Sequence, residues 1–174
     1  MSSKHKLSPF FEKTQFVNIV IDTPKAAPFK LKFDEESQGF RVHKAMPLGF
    51  VFPFNFGFLP STRGGDGDPL DVLLLSDFIL PVGSMILGKL IAVLEAEQID
   101  RNGKQRNDRL IAVPIEVVSR EAMLPVVEFS GALRKAINGF FVKYNELQGR
   151  KFRPIRDAGP SRAIQLVRKA TFTP

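Results

Sequence analysis

Apolar residues along this chain recur at every second position or in short strand-length runs as far as residue 125, and with helical spacing only beyond it. That order calls for a sheet-rich body followed by helices. Gln15 to Ile21 (QFVNIVI) is rich in β-branched residues and stops at Asp22-Thr23-Pro24, as a strand entering a turn would. FKLKF, from Phe29 to Phe33, alternates strictly, which places Phe29, Leu31 and Phe33 on one face and Lys30 and Lys32 on the other. Gly39 to Lys44 follows as a further strand candidate. Every even position from Phe50 to Phe58 is phenylalanine, a core stripe made irregular or edge-like by Pro53 and Gly57. Val72 to Leu75, Met85 to Ala96 and Leu110 to Val118 read as further strands, the last preceded by a polar loop from Asp100 to Asp108. Leu133, Ile137, Phe140, Phe141, Tyr144 and Leu147 then define a helix with Ser130 as N-cap and Gly149 as its stop, and a second helix is expected from Pro160 to Ala170. The sum is an α+β domain, a closed or partly closed barrel with two C-terminal helices at its side.

The 174 residues suit a single domain able to bury roughly 70% of its unfolded surface, with residues 1–14 a flexible or peripheral N-terminal segment. Without cysteine there are no disulfides and no zinc thiolates, which fits a reducing cytoplasm. The N-terminus carries no apolar core of signal-peptide length, and the region Val72 to Leu94 is interrupted by Asp77, Pro81 and Lys89, so a soluble cytoplasmic protein is expected. Charge is uneven: residues 1–100 hold 10 basic against 12 acidic side chains, residues 101–174 hold 15 against 6. A basic C-terminal third suits an anionic partner, a small phosphate compound or a nucleic acid, although most such residues serve as solvated surface.

Gly64-Gly65-Asp66-Gly67-Asp68-Pro69-Leu70-Asp71 concentrates the chemistry. Three carboxylates within six residues repel unless a cation lies between them, and hard divalent ions such as Mg²⁺ take oxygen ligands. The glycines allow a tight turn, and the strand that follows would hold the last aspartate rigidly. The same composition also makes ordinary turns. A calcium loop of the EF-hand type is excluded, because counting from Asp66 the sixth position is Asp71, not glycine, and the fifth is Leu70. His5 and His43 sit in a terminus and beside Lys44, away from any ligand pattern, and no serine or cysteine nucleophile arrangement is present, so water is the expected attacker.

The run FPFNFGFLPSTRGGDGDPLDVLLL, with IDTPKAAPFK, RLIAVP and FFVKYNEL elsewhere, resembles the soluble family I inorganic pyrophosphatases from about Asn18 to Ala170. The resemblance implies an OB-like five-stranded β-barrel with flanking helices, Mg²⁺-dependent hydrolysis of diphosphate (Mn²⁺ or another divalent ion being an alternative), and a homo-oligomer. It implies that Asp66 and Asp71 hold metal, that Asp68 assists the attacking water, that Lys30 binds substrate and that Tyr144 contacts phosphate. Asp22 stands where the family has glutamate, Lys44 where it has a phosphate-binding arginine, and Lys32 where it has an acid. Phe52 and Phe56 replace tyrosines.

In the loop before RLIAVP the family has two more carboxylates and a lysine. Alignment on Leu110 puts Asn107 at the second carboxylate and Arg109 at the lysine, making Arg109 a candidate phosphate ligand. Asp108 is one residue off, on the opposite face unless a bulge restores it, and Asp100 is the best candidate for the first carboxylate. Asn145 replaces a lysine, leaving Lys143, Arg150 and Lys151 as substitutes. The expectation is a diphosphatase with Asp66, Asp71, Asp22 and Asp100 or Asp108 on metal. A catalytically impaired phosphate- or nucleic-acid-binding protein ranks second, because its drift would give no reason to keep three crowded carboxylates. A hydrolase of a larger phosphate anhydride or ester is the third reading.

Overall fold

In the computed structural model, which describes residues 7–34, 36–115, 117–119, 122–123 and 129–172, five strands close into a ring. These are β1 (Val17–Thr23), β4 (Asn55–Phe58), β5 (Asp71–Leu74), β8 (Arg109–Pro114) and β6 (Met85–Asp100), which returns to β1. β5 and β8 run parallel and the other ring pairs antiparallel. The hairpin of β2 (Phe29–Asp34) and β3 (Gly39–Ala45) forms a separate two-stranded sheet, and a short pair, β9 (Val117–Ser119) with β10 (Ala122–Met123), another. α1 (Gly131–Glu146) begins at Ser130, whose hydroxyl accepts from the Leu133 N–H at 3.1 Å, and Gly149 beyond its end takes φ +69°. α2 (Pro160–Ala170) has proline in its first turn. The expected OB-like five-stranded barrel with two C-terminal helices is what forms.

The strands β5 and β8 are buried on both faces, which is why they read as continuous apolar runs. One alternate set of side chains (Val72, Leu74, Leu110, Ala112) packs with Ala163 and Val167 of α2. The other (Leu73, Leu75, Ile111) packs with Ile137 and Phe141 of α1. A bulge between Leu90 and Ala92 of β6 shifts the phase, so that Leu90 and Val93 join the first cluster while Ala92 and Leu94 join the second. Of the phenylalanine stripe only Asn55–Phe58 is strand. Phe52, Phe54 and Phe56 are core beneath α1, and Phe58 packs instead on Phe33, ring centroids 6.2 Å apart.

Besides the short β10, two strands lay outside the sequence expectation. The polar loop 100–108 contains β7 (Gly103–Arg106), paired back on β6, and residues 151–158 form β11 (Lys151–Ala158), which lines the far side of β6 with Phe152 as its one fully buried side chain. Neither carries apolar alternation, because their backbone hydrogen bonds to the long β6 hold them in place. The strand expected from Leu110 to Val118 ends at Pro114, which cannot donate to the ladder. Residues 8–18 turn back on β1, with Phe10 bridged to Val17 and the Asn18 amide donating to the Ser8 carbonyl at 2.9 Å.

β4 can approach β1 only because position 57 is glycine: a Cβ there would lie 2.2 Å from the Val20 carbonyl oxygen. Gly57→Ala is therefore expected to lower the free energy of unfolding by about 1–3 kcal/mol, since backbone cannot yield as a side chain would. Urea denaturation measures this, and an unchanged midpoint would contradict the packing described.

Candidate active site

The aspartate loop is tied off at its base before it reaches β5. The Leu59 N–H donates to the Leu70 carbonyl at 3.0 Å, and the Thr62 hydroxyl donates to the Leu59 carbonyl (2.7 Å) and accepts from the Leu70 N–H (3.0 Å). The end of α2 braces the same loop, with the Arg63 N–H on the Ala170 carbonyl at 2.9 Å. Inside it, the Gly64 N–H reaches the Asp68 carbonyl at 2.7 Å, Gly67 takes φ +86°, and the Asp68 N–H donates to the Asp66 carboxylate at 3.2 Å. A Cβ at Gly64 would sit 3.1 Å from Asp66 Oδ1, and one at Gly65 would sit 3.0 Å from Arg106 Cβ. The glycine pair is thus required by close approach, and the turn and the site are one structure.

Asp22, at the end of β1, and Asp71, the first residue of β5, line a cavity of about 670 Å³ together with Lys30, Lys32, His43 and Asp68. Asp71 also lines a smaller adjoining hollow with Asp66, Asn107, Asp108 and Arg109. The acids are under electrostatic stress. Burial pushes the Asp22 carboxyl up to about 7, with Lys30 opposing the rise and Asp71 adding to it. Asp22 is 5% exposed and its Oδ1 has no hydrogen-bond partner. Burial and then Asp71 also raise Asp66, while the Asp68 N–H opposes them. An all-oxygen donor set with an orphaned buried oxygen and mutual repulsion fits a hard divalent cation. No three His, Asp or Glu side chains among the described residues stand close enough to form a finished metal shell.

Facing the acids is a basic wall on the β2–β3 hairpin, where Lys30 and Lys44 are cross-strand partners. Burial, then Arg150 and Lys30, hold the Lys44 ammonium below its ordinary value, as expected of cations crowded where an anion would sit. The Lys30 ammonium lies 4.7 Å from the centre of the Phe56 ring. Tyr144 is buried, stacked on Phe140 at 5.9 Å and against Phe52 at 6.0 Å. Asn145, one residue on, is 2% exposed and donates to the Phe141 carbonyl at 2.8 Å, so its amide serves the helix. Lys32 forms an ion pair with Asp68 at 2.6 Å, both side chains about half exposed.

The loop before β8 departs most from expectation. Asp100 lies at the turn of the β6–β7 hairpin, where its carboxylate accepts from the Asn102 N–H at 2.8 Å, and it lines neither cavity. The structure does not bring it to the aspartate loop, because the β6–β7 hairpin carries it to the turn, where Oδ1 serves the turn itself. Asp108 does border the smaller hollow, but its carboxylate is held by the Ala96 N–H at 3.0 Å and the Arg106 guanidinium at 2.9 Å. Asn107 instead donates to Gln98 at 3.1 Å, a partner that sequence reasoning missed because the two meet only across β6. Arg109, placed with the phosphate ligands by alignment, ion-pairs with Asp71 at 2.6 Å and does not line the larger cavity. Val72 and Leu110 are register partners on parallel strands, which sets the residues before them, Asp71 and Arg109, side by side.

Much of the C-terminal basic excess is spent internally. Arg106, Arg156 and Arg162 all pair with Glu95, and Arg153 and Lys104 with Glu97. Asn55, within the phenylalanine stripe, is wholly buried and structural: it accepts from the Lys25 and Leu80 N–H groups and donates to the Phe78 carbonyl.

A closed five-stranded barrel with carboxylates opposite a lysine wall defines a protein that handles a compact anion with the help of a cation. Comparison with known proteins gives that class a family. Residues 19–172 match the family model described as Inorganic pyrophosphatase. The chain is 33% identical over 168 residues to an inorganic pyrophosphatase of Aeropyrum pernix, covering 95% of this chain and 93% of that one. To an inorganic pyrophosphatase of Saccharolobus solfataricus it is 32% identical, with 95% of each chain covered. A solved structure of the inorganic pyrophosphatase of Helicobacter pylori superposes with a TM-score of 0.80 at 27% identity, covering 97% of this chain and 96% of that one. This chain belongs to the inorganic pyrophosphatase family.

Proposed function

We propose that this chain hydrolyses inorganic diphosphate to two phosphates with Mg²⁺ as its cation, by attack of water and without a covalent intermediate. The observation that carries the reading is the opposition, across one cavity, of Asp22, Asp68 and Asp71 to Lys30 and Lys32, with Lys44 crowded beside Lys30 across the hairpin. Diphosphate leaves as an anion from an anion, so its hydrolysis needs charge neutralisation more than a nucleophilic side chain. Mg²⁺ held by Asp66, Asp71 and Asp22 would supply Lewis acidity and lower the pKa of water. Lys30 and Lys44, with Arg150 behind them, bind phosphate oxygens, and Tyr144 borders the same aromatic wall. Asp68, at the cavity and half exposed, takes the proton of the attacking water in this reading, and Lys32, its ion-pair partner, orients it. Arg109 positions Asp71 and leaves the phosphates to the lysines.

Asp100 and Asp108 are left out of the metal set, because Asp100 lies at its own turn and lines neither hollow, and the Asp108 carboxylate is taken by Arg106 and the Ala96 N–H of β6. Among the described residues no helix is long and apolar enough to cross a membrane. A cytoplasmic homo-oligomer is the setting that accompanies this reading. Phosphate release from diphosphate, followed with Mg²⁺ and again with excess chelator, tests it. Turnover is expected only with the cation, and phosphate release at equal rates in both would overturn it.

A further inference from the structure

Counting charges around the aspartate loop separates the acids that already have a partner from those that do not. Asp68 is matched by Lys32 at 2.6 Å and Asp71 by Arg109 at 2.6 Å. The two pairs differ in kind. The first is about half exposed on both sides and exchanges with solvent, whereas Arg109 is 7% and Asp71 18% exposed in their side chains. The Arg109 guanidinium is also fixed from the other side: its centre lies 5.2 Å from the ring of Phe141, 5.8 Å from Phe56 and 6.0 Å from Phe152, all core residues. Its Nη1 donates to Asn107 Oδ1 and, at 3.1 Å, to the Asp108 carbonyl. To leave Asp71 it would have to empty an aromatic pocket and abandon these acceptors.

Asn107 matters for the same reason. A carboxylate at this position could serve as a further metal ligand, but the amide is neutral and its two ends are taken by Arg109 and Gln98. What remains without a committed cation is Asp66 and Asp22, two carboxyl groups in adjoining hollows, the latter with an unpartnered buried oxygen. Lys30 belongs to the phosphate side of the cavity and is not counted against them.

We propose that Arg109 is a resident counter-ion to Asp71, taking the place of a divalent cation, so that the substrate-free chain binds a single divalent ion on its carboxylates. This rests on the reading of Asp66, Asp71 and Asp22 as the metal-holding set. A second cation would have to share Asp71 with a buried guanidinium, facing it across a low-dielectric pocket whose other acids, Asp108 and Asp68, are already paired to Arg106 and Lys32. Arg109 is in this sense a positioning residue, which sets how many ions the site takes without touching the phosphates.

Equilibrium dialysis of the substrate-free protein against Mn²⁺, with free metal read by electron paramagnetic resonance, tests the proposal directly. About one Mn²⁺ per chain is expected for the natural protein. Arg109→Met, which keeps the bulk inside the aromatic pocket and removes the charge, is expected to raise the count to about two, since Asp71 Oδ2, freed from the guanidinium, can then hold a second ion beside the one already on the carboxylates. Two or more ions on the natural protein would overturn the proposal, whether or not the variant folds. So would an unchanged count in an Arg109→Met protein with native circular dichroism. No bound Mn²⁺ at all would instead sink the metal-holding set itself, and with it the proposed function.

Discussion

Asp66→Asn is expected to slow diphosphate hydrolysis by about 10²–10³-fold, the usual cost of removing one preorganised electrostatic group, while leaving the metal-free fold as stable as before or more so. The two halves of that result have different causes. Asparagine keeps the oxygen that accepts the Asp68 N–H at 3.2 Å, so the turn survives. Burial and Asp71 hold the Asp66 carboxyl above its ordinary value, meaning that its charge is unfavourable in the folded, ion-free protein. A group whose folded pKa is raised stabilises the fold only at low pH and loses that contribution as pH rises through the folded value. Removing the charge therefore costs no stability at neutral pH. A structural residue would lose stability and activity together; a residue kept for a cation loses activity alone. Initial rates of phosphate release at saturating Mg²⁺, set beside thermal melts in chelator, distinguish them. A variant melting well below the natural protein, or hydrolysing diphosphate within a few-fold of it, would refute the assignment.

The largest stability effect is expected outside that loop, at Glu95. This side chain is 3% exposed and accepts from Arg162 Nε at 2.6 Å, Arg106 Nη2 at 2.9 Å and Arg156 Nε at 3.2 Å. Burial pushes its carboxyl up, but the bonds from Arg156, Arg162 and Arg106 outweigh it and bring the pKa down to about 2. Because the folded value is depressed below that of the unfolded chain, the stabilisation is present above about pH 4.5 and lost as pH falls toward about 2. Glu95→Gln leaves three guanidinium groups around a neutral amide and is expected to cost about 3–5 kcal/mol at pH 7. It should also flatten the acid limb of the stability profile. Guanidinium is unsuitable here because it screens the pairs, so urea denaturation from pH 2 to 7 is the measurement. A loss below about 1 kcal/mol would mean that solvent already satisfies the arginines.

The two C-terminal helices were legible because Ser130, Gly149 and Pro160 carry local capping chemistry, which acts within one turn of chain and needs no distant partner. β1, β2, β5 and β6 were legible from β-branched runs and alternation for the same reason. β7 and β11 were not: their side chains are polar and mostly exposed, and each exists as a strand because β6 offers it a ladder. The apparent loop 100–108 therefore hid a hairpin, and with it the true neighbour of Asn107.

For the candidate site the division runs along the same line. Asp66, Asp68 and Asp71 stand within six residues, so their crowding, their need for a cation and the glycines that let them crowd were visible in GGDGDPLD as written. Which charge answers which acid was not. Asp71 meets Arg109 through the register of two parallel strands, Lys30 meets Lys44 across a hairpin, and Asp108 is taken up by Arg106 and a backbone N–H of β6. Coulomb interactions depend on distance in space, and a barrel closes that distance between residues tens of positions apart. Composition and local spacing decided that this chain is a strand-rich barrel with a carboxylate loop. Only its closure decided that Asp22, Asp66 and Asp71 share the two adjoining hollows, with one of the three already bound to an arginine.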